Sequence, residues 1–281
     1  MIKLTLLAMI KDEQTYLPEW IEYHLGLGFS KVYLIEDFNS TSHASVVEEY
    51  GDKVFLCRCD NDKIDIKDIE KNQTPWRQVL AYNRFFNVYP EERENNYCLF
   101  LDMDEFLNIP KEDFSLFSYI ERSGRDVFRI PMLTFNANKR VLRPSINTTE
   151  AYTKQINDKE FSFYCKTMIN VEKDYVFHCI QRASIRGQKH PVFEYVLKIN
   201  HYFTKSWEDW LIRMRRGSQD PDLHKLEDFF KYNPEMVSIK NYLISNYKMN
   251  ESSWLSGGKT FLPSSYKEDL KILGYPLVDG T

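Results

Sequence analysis

Apolar positions set the first elements of the chain. "IKLTLLAMI" (2–10) is nearly continuous in apolar residues over one strand length, the pattern of a strand covered on both faces. Thr15 is placed to cap a helix, Pro18 sits in its first turn, and "LPEWIEYHLGLG" carries a helical stripe that ends at Gly26 and Gly28. "KVYLIE" (31–36) predicts a second strand, closed by the turn-formers "DFNSTS"; "ASVVEEYG" predicts a short helix ending at Gly51, and "KVFLCR" (53–58) a third strand. After a polar loop, Thr74 and Pro75 open a long helix over 74–89, and "YCLFL" (97–101) returns to strand.

Strand and helix alternating at this spacing predict a parallel sheet with helices on both faces, whose ligands bind beyond the carboxyl ends of the strands. Past residue ~125 the alternation loosens. "DVFRIPMLTFN", "FSFYCKTMINV" and "YVFHCI" predict strands of a mixed or antiparallel region, and "SWEDWLIRMRRG" and "PDLHKLEDFFKY" predict helices. With no long linker, repeat or low-complexity tract, the expectation is an α/β domain over 1–218, in two halves (1–125 and 126–218). A C-terminal helical extension (219–281) packs on it.

Composition narrows the classes. Of 281 residues 43% are hydrophobic and 28% charged, a globular balance, and the net charge of −4 gives no ground for nucleic acid as a partner. No stretch approaches the ~18 apolar residues that span a bilayer, and the N-terminus lacks a signal-peptide layout. Five cysteines, odd in number and without metal-ligand spacing, predict reduced thiols in a cytoplasmic protein.

The chemistry concentrates in "YCLFLDMDEFLNI" (97–109), where a buried strand breaks into Asp102, Asp104 and Glu105. A structural alternative is an acidic turn capping a helix near Asp113. Placed at a strand's carboxyl end, Asp102 and Asp104 in a DxD pattern offer hard oxygen ligands to Mg²⁺ or Mn²⁺, with open positions left for substrate phosphates. Nothing matches GxGxxG or GxxxxGKS/T, so a metal-held diphosphate is the alternative to a glycine-rich phosphate loop.

"LLAMIKDEQTYLPEWIEYHLGLGFSKVYLIEDFNS", "FLDMDEF" and "INHYFTKSWEDWLIRMRRG" together resemble the GT-A fold nucleotide-sugar glycosyltransferases, nearest the bacterial family-two-like and family-ninety-two-like group, over roughly residues 3–218. The resemblance implies a nucleotide-binding half (1–125), an acceptor half (126–218) and a Mn²⁺ (or Mg²⁺) ion bridging enzyme and nucleoside diphosphate, commonly a UDP-sugar. The ends of the first two strands would cradle the nucleoside, which makes Lys11, Glu13, Asp37 and Asn39 candidates; an Asx-turn is the plain alternative for Asp37. Gln78, on one helix face with Tyr82, is favoured near the nucleotide, and Lys166 and His178 near the sugar. His201 in "KINHYFTKS" would complete the metal site, with Lys205 and Arg213 or Arg216 neutralising the leaving diphosphate.

The implied reaction is glycosyl transfer to a glycan or lipid-linked glycan acceptor in cell-surface, capsular or lipopolysaccharide synthesis. An inverting enzyme also needs a carboxylate base, for which Asp209, Glu150, Asp220 and Asp222 are candidates; Glu105 is expected to support the metal residues. The tail (239–281), rich in Lys, Tyr, Trp and Leu, suits peripheral contact with a membrane's inner face or a plain closing helix pair. Two other classes remain. A sugar-phosphate nucleotidyltransferase would show a glycine-rich basic loop, which "MIKDEQTYLP" lacks; a non-catalytic glycan-binding protein would use aromatics such as Trp207 and Trp210.

Overall fold

The computed structural model describes residues 2–59, 74–111, 113–156, 164–188, 193–216, 226–239 and 241. The chain divides into two compact units: Met1–Leu133 with Asp158–His201, and Thr134–Asn157 with Tyr202–Thr281. Residues 202–216, expected to belong with the strands of an acceptor half ending near 218, thus group with the second unit.

In the first unit β1 (Lys3–Ile10), α1 (Leu17–Gly26), β2 (Lys31–Glu36), α2 (Ala44–Val47), β3 (Val54–Arg58), α3 (Thr74–Val88) and β4 (Asn96–Phe100) follow the predicted alternation. Next come β5 (Glu105–Asn108), α4 (Leu116–Ser123), β6 (Val127–Thr134), β7 (Cys165–Asn170), β8 (Tyr175–Cys179), β9 (Arg182–Ile185) and β10 (Lys198–His201). The eight-stranded sheet runs β3-β2-β1-β4-β7-β6-β10-β5, and β8 and β9 form a separate hairpin. The ladders joining β3, β2, β1 and β4 are parallel, whereas β4–β7, β7–β6 and β10–β5 are antiparallel. The fold is a mixed α/β sheet flanked by helices, consistent with a Rossmann-like arrangement. Because β1, β2 and β4 run together, residues 11, 37 and 102 all leave the sheet at one edge.

Two expected details differ. Thr15 does not cap α1: Tyr16 holds the N-cap position without a side-chain bond, and the amides of Tyr16 and Leu17 both donate to the Glu13 carbonyl. The carboxylates at 102–105 do not cap the following helix either; α4 begins at Leu116, where Ser115 Oγ accepts from the Ser118 amide at 3.2 Å. The acids lead instead into β5, a strand the alternation did not announce.

Packing follows the stripes. Tyr82, Phe85 and Phe86 from α3, with Tyr89 just after it, lie buried against Tyr33, Phe100, Tyr175 and Phe177, with ring centroids such as Phe100–Phe177 at 4.4 Å. Edge-on aromatic pairs of this kind contribute about 0.5–1.5 kcal/mol each beyond their burial. In α1 the positions Leu17, Trp20, Ile21 and His24, spaced three and four apart, form the buried face.

His24 is fully buried on that face. Its Nδ1 donates to the Trp20 carbonyl (2.8 Å), so Nε2 is the acceptor for the Leu107 amide (3.2 Å). The second unit holds α5 (Thr148–Ala151), α6 (Trp207–Arg216) and α7 (Leu226–Tyr232). Trp207, Trp210, Leu211, Phe229, Phe230 and Met236 form its core. Among the described residues no helix is long and apolar enough to cross a membrane. The tail after Asn241 lies outside the described residues.

Burial pushes the His24 imidazole down from 6.5 to about 3, the bond to the Trp20 carbonyl opposing the shift only in part. The unfolded chain therefore binds a proton at pH values where the folded chain does not. This contribution to stability is full above about pH 6.5 and is lost as pH falls from there towards 3. Urea midpoints should drop across that interval for the wild type and drop less steeply for His24→Gln; identical slopes would contradict the assignment.

Candidate metal centre

The backbone builds the centre from a tight turn. Leaving β4, the chain reverses over Asp102–Glu105: the Glu105 amide donates to the Asp102 carbonyl (3.1 Å), and the Asp102 amide donates back to Glu105 Oε2 (2.8 Å). The turn delivers Glu105 into β5, where antiparallel pairing with β10 sets it directly opposite His201. Asp104, one residue earlier, brings Oδ1 to 3.8 Å from His201 Nε2. Asp104 and Glu105 are buried and His201 is half-buried; one ligand atom from each lies within 4.8 Å of the other two. This trio could hold a metal ion.

Asp102 is engaged differently from the expected DxD arrangement. Its Oδ2 accepts from Lys166 Nζ at 2.6 Å and its Oδ1 from Gln78 Nε2 at 2.8 Å, while Gln78 also donates to the Tyr82 hydroxyl at 2.7 Å. Lys166, fully inside the sheet on β7, reaches Glu105 Oε2 as well, at 3.1 Å. Two of the three expected metal residues, Asp104 and His201, thus come together, with Glu105 as their neighbour. Asp102 faces Lys166 and Gln78.

Lys166 thus pairs with two of the three carboxylates, Asp102 and Glu105. Burial drives the Glu105 carboxyl up to about 8, Lys166 pulling it down while Asp102 and Asp104 push it further up. Burial alone would lower the Lys166 ammonium, but the Asp102 and Glu105 carboxylates overcome it and hold the group protonated. Burial, then the Asp102 charge, raises the Tyr82 phenol. Two carboxylate oxygens and an imidazole nitrogen are donors of the kind that bind a divalent metal ion.

At the same sheet edge the loops after β1 and β2 are zipped together. Asp12, in a left-handed conformation (φ 52°), accepts from the Thr41 amide (2.8 Å) and hydroxyl (2.7 Å), and its own amide donates to Ser40 Oγ (3.0 Å). The Glu13 amide donates to His43 Nε2 (3.0 Å), which leaves the ring proton on Nδ1 to bond Glu36 Oε1 (2.9 Å). Asp37 is buried, with Oδ2 taken by Arg77 (2.9 Å) and Oδ1 accepting its neighbour Phe38's amide (2.9 Å). The Arg77 guanidinium lies 4.6 Å over the Phe38 ring. Lys11 and Glu13 are half-buried, and Asn39 is exposed at the turn tip. His178, exposed, bonds Ser184 across the β8–β9 hairpin (2.7 Å).

The remaining candidates belong to the second unit. Asp209 completes a capping box at the start of α6: Ser206 Oγ accepts the Asp209 amide (3.1 Å) and donates to Asp209 Oδ2 (2.6 Å), and Arg143 Nε donates to Oδ1 (2.7 Å). Both oxygens are thus engaged in holding the helix start. Glu150 is exposed in α5, Lys205 is buried in a left-handed conformation (φ 48°), and Arg213 donates to the Phe203 carbonyl (2.7 Å). Arg216 is half-buried at the end of α6. Asp220 and Asp222 lie outside the described residues.

Sequence reasoning gave Glu105 a supporting place beside the metal residues without counting it a ligand, and it missed the pairing of Lys166 with Asp102. The signal for Glu105 was its place immediately after the DxD; Lys166 carried none locally, since its pairing depends on β7 returning beside β4.

No known family pattern matches the chain, and no curated protein does. Among solved structures, the chain is similar to a mycobacterial protein at 10% identity and a TM-score of 0.30, over 47% of this chain and 42% of that one. It is also similar to HddC from Yersinia pseudotuberculosis at 12% identity and a TM-score of 0.30, over 61% and 75%. At these TM-scores the likeness is too slight to bear on fold or chemistry.

Removing Lys166 should leave Glu105 and Asp102 crowded with no cation. Lys166→Met is expected to cost about 3–5 kcal/mol, as for one partner lost from a buried pair. Adding Glu105→Gln and Asp102→Asn should restore most of it in urea unfolding. A loss below about 1 kcal/mol for Lys166→Met would mean that the pair is not integral to this turn.

Proposed function

We propose that the chain is a metal-dependent glycosyltransferase that moves a sugar from a nucleoside diphosphate donor, UDP by preference, to a glycan acceptor in cell-surface, capsular or lipopolysaccharide synthesis. One observation carries the proposal: the Asp104–Glu105–His201 ligand set stands at the sheet edge where Lys11, Asp37 and the zipped loops of β1 and β2 also emerge. A nucleoside held at the strand ends and a diphosphate held at the acids require that adjacency. The sequence resemblance to GT-A glycosyltransferases points the same way.

Bound between these residues, Mn²⁺ or Mg²⁺ would supply positive charge to the diphosphate as it leaves the anomeric carbon. The chain's own groups orient the partners. Asp37, buried and held by Arg77 and the Phe38 amide, fixes the loop after β2 beside which the nucleoside would lie. Gln78 and Lys166 hold Asp102 in place beside the ligand trio. The acceptor hydroxyl attacks as the carbon–oxygen bond to UDP breaks, with configuration inverted, and a carboxylate takes its proton. Glu150 and Asp220 remain base candidates; Asp209 is occupied by Ser206 and Arg143.

Thermal unfolding tests the proposal. With Mn²⁺ present, saturating UDP should raise the melting temperature by roughly 5 °C or more, the shift expected of ligand well above its Kd. The Asp102→Ala, Asp104→Ala double variant should lose the shift, and UDP-sugar hydrolysis should need the metal. Equal stabilisation in the double variant would overturn the site. Pyrophosphate release from UTP and a sugar phosphate would replace the activity with nucleotidyl transfer, and oligosaccharide binding with no nucleotide effect would replace it with a lectin role.

A further inference from the structure

We propose that Trp20 and His24 are positioning residues for the metal centre, acting on Glu105 through the free edge of β5. The inference rests on the metal centre proposed above. β5 has four residues and stands at the end of the sheet, paired on one side with β10 alone. A strand so short and one-sided does not by itself fix a ligand to the tolerance that metal binding demands.

Three side chains on one face of α1 supply what a further strand would. Trp20 Nε1 donates to the carbonyl of Glu105 itself (2.8 Å), His24 Nε2 accepts the Leu107 amide (3.2 Å), and the Tyr23 hydroxyl donates to the Leu107 carbonyl (2.9 Å). Residues 105 and 107 are alternate positions, whose backbone groups point to the same edge of the strand. The helix thus satisfies the row of groups that β10 leaves unpaired. His24 is itself fixed, because Nδ1 is bonded to the Trp20 carbonyl and its ring stacks on Phe106 with centroids 5.7 Å apart.

The same helix is anchored at its other end in the nucleoside loop. Glu13 accepts the amides of Tyr16 and Leu17 through its carbonyl, and its own amide is bonded to His43. α1 is therefore a strut between the loop after β1 and the strand that carries Glu105. It accounts for the clustering of Trp20, Tyr23 and His24 in "EWIEYH": each supports β5, and none needs to touch substrate.

The test is Mn²⁺ affinity of the full chain, followed by the loss of the six-line electron paramagnetic resonance signal of free Mn²⁺, with no nucleotide present. Trp20→Phe keeps an aromatic ring and removes the donor to Glu105; it should weaken Mn²⁺ binding roughly tenfold to a hundredfold, the usual effect of losing a group that orients a ligand. His24→Leu should do the same, and His24→Gln, whose amide oxygen can accept the Leu107 amide, should recover much of the loss. Tyr33→Phe removes a hydroxyl bonded to Glu92 instead and should lower stability without changing Mn²⁺ affinity. Folded Trp20→Phe binding Mn²⁺ as tightly as the wild type would overturn the positioning role alone. A wild type that binds no Mn²⁺ would overturn the metal centre and this role with it.

Discussion

Three carboxylates within four residues, at the end of a buried strand, cannot all be ionised in a low-dielectric setting without a cation close by. Asp102, Asp104 and Glu105 meet that constraint with one buried ammonium, Lys166, bonded to the first and the last of them. The arrangement dictates much else. β7 must return antiparallel beside β4 to bring the lysine in, and β10 must pair with β5 to bring His201 opposite Glu105. Burial, opposed by Lys166 and reinforced by the two aspartates, raises the Glu105 carboxyl. Asp104, Glu105 and His201 stand close enough together that they could hold a metal ion.

The rest of the first unit gathers the ends of its parallel strands beside these acids. Parallel pairing of β1, β2 and β4 puts their carboxyl ends on one edge, and the Asp12–Thr41 and Glu13–His43 bonds fix the loops that emerge there. Preformed loops lose little conformational freedom on binding, which favours affinity for a flexible diphosphate ligand. α1 connects these loops to β5, so the two ends of the site share one rigid element.

The parallel half was legible because its signals are local: apolar runs of strand length, turn-formers after each, and Pro18 and Pro75 where helices open. β5 was not legible. Four residues, "EFLN", carry too little periodicity to mark a strand, and its partner β10 lies some ninety residues away. The acids could be placed at a strand end from sequence, and Asp104 and His201 do meet. The exchange that sets Glu105 beside them and turns Asp102 to Lys166 and Gln78 depends on a β-turn and on β7, neither visible in a carboxylate spacing. Asp209 shows the reverse case: a polar residue in a suggestive stretch has its place explained by Ser206 and a helix start.

The proposed function turns on which side chains would ligate an ion at this sheet edge. Crystals of the full chain soaked in Mn²⁺ and measured at the manganese absorption edge would reveal them. One dominant anomalous peak is expected within bonding distance of Asp104, Glu105 and His201 Nε2, with Asp102 still on Lys166. No peak there, or a peak bonded to Asp102 after Lys166 has withdrawn, would refute this ligand set.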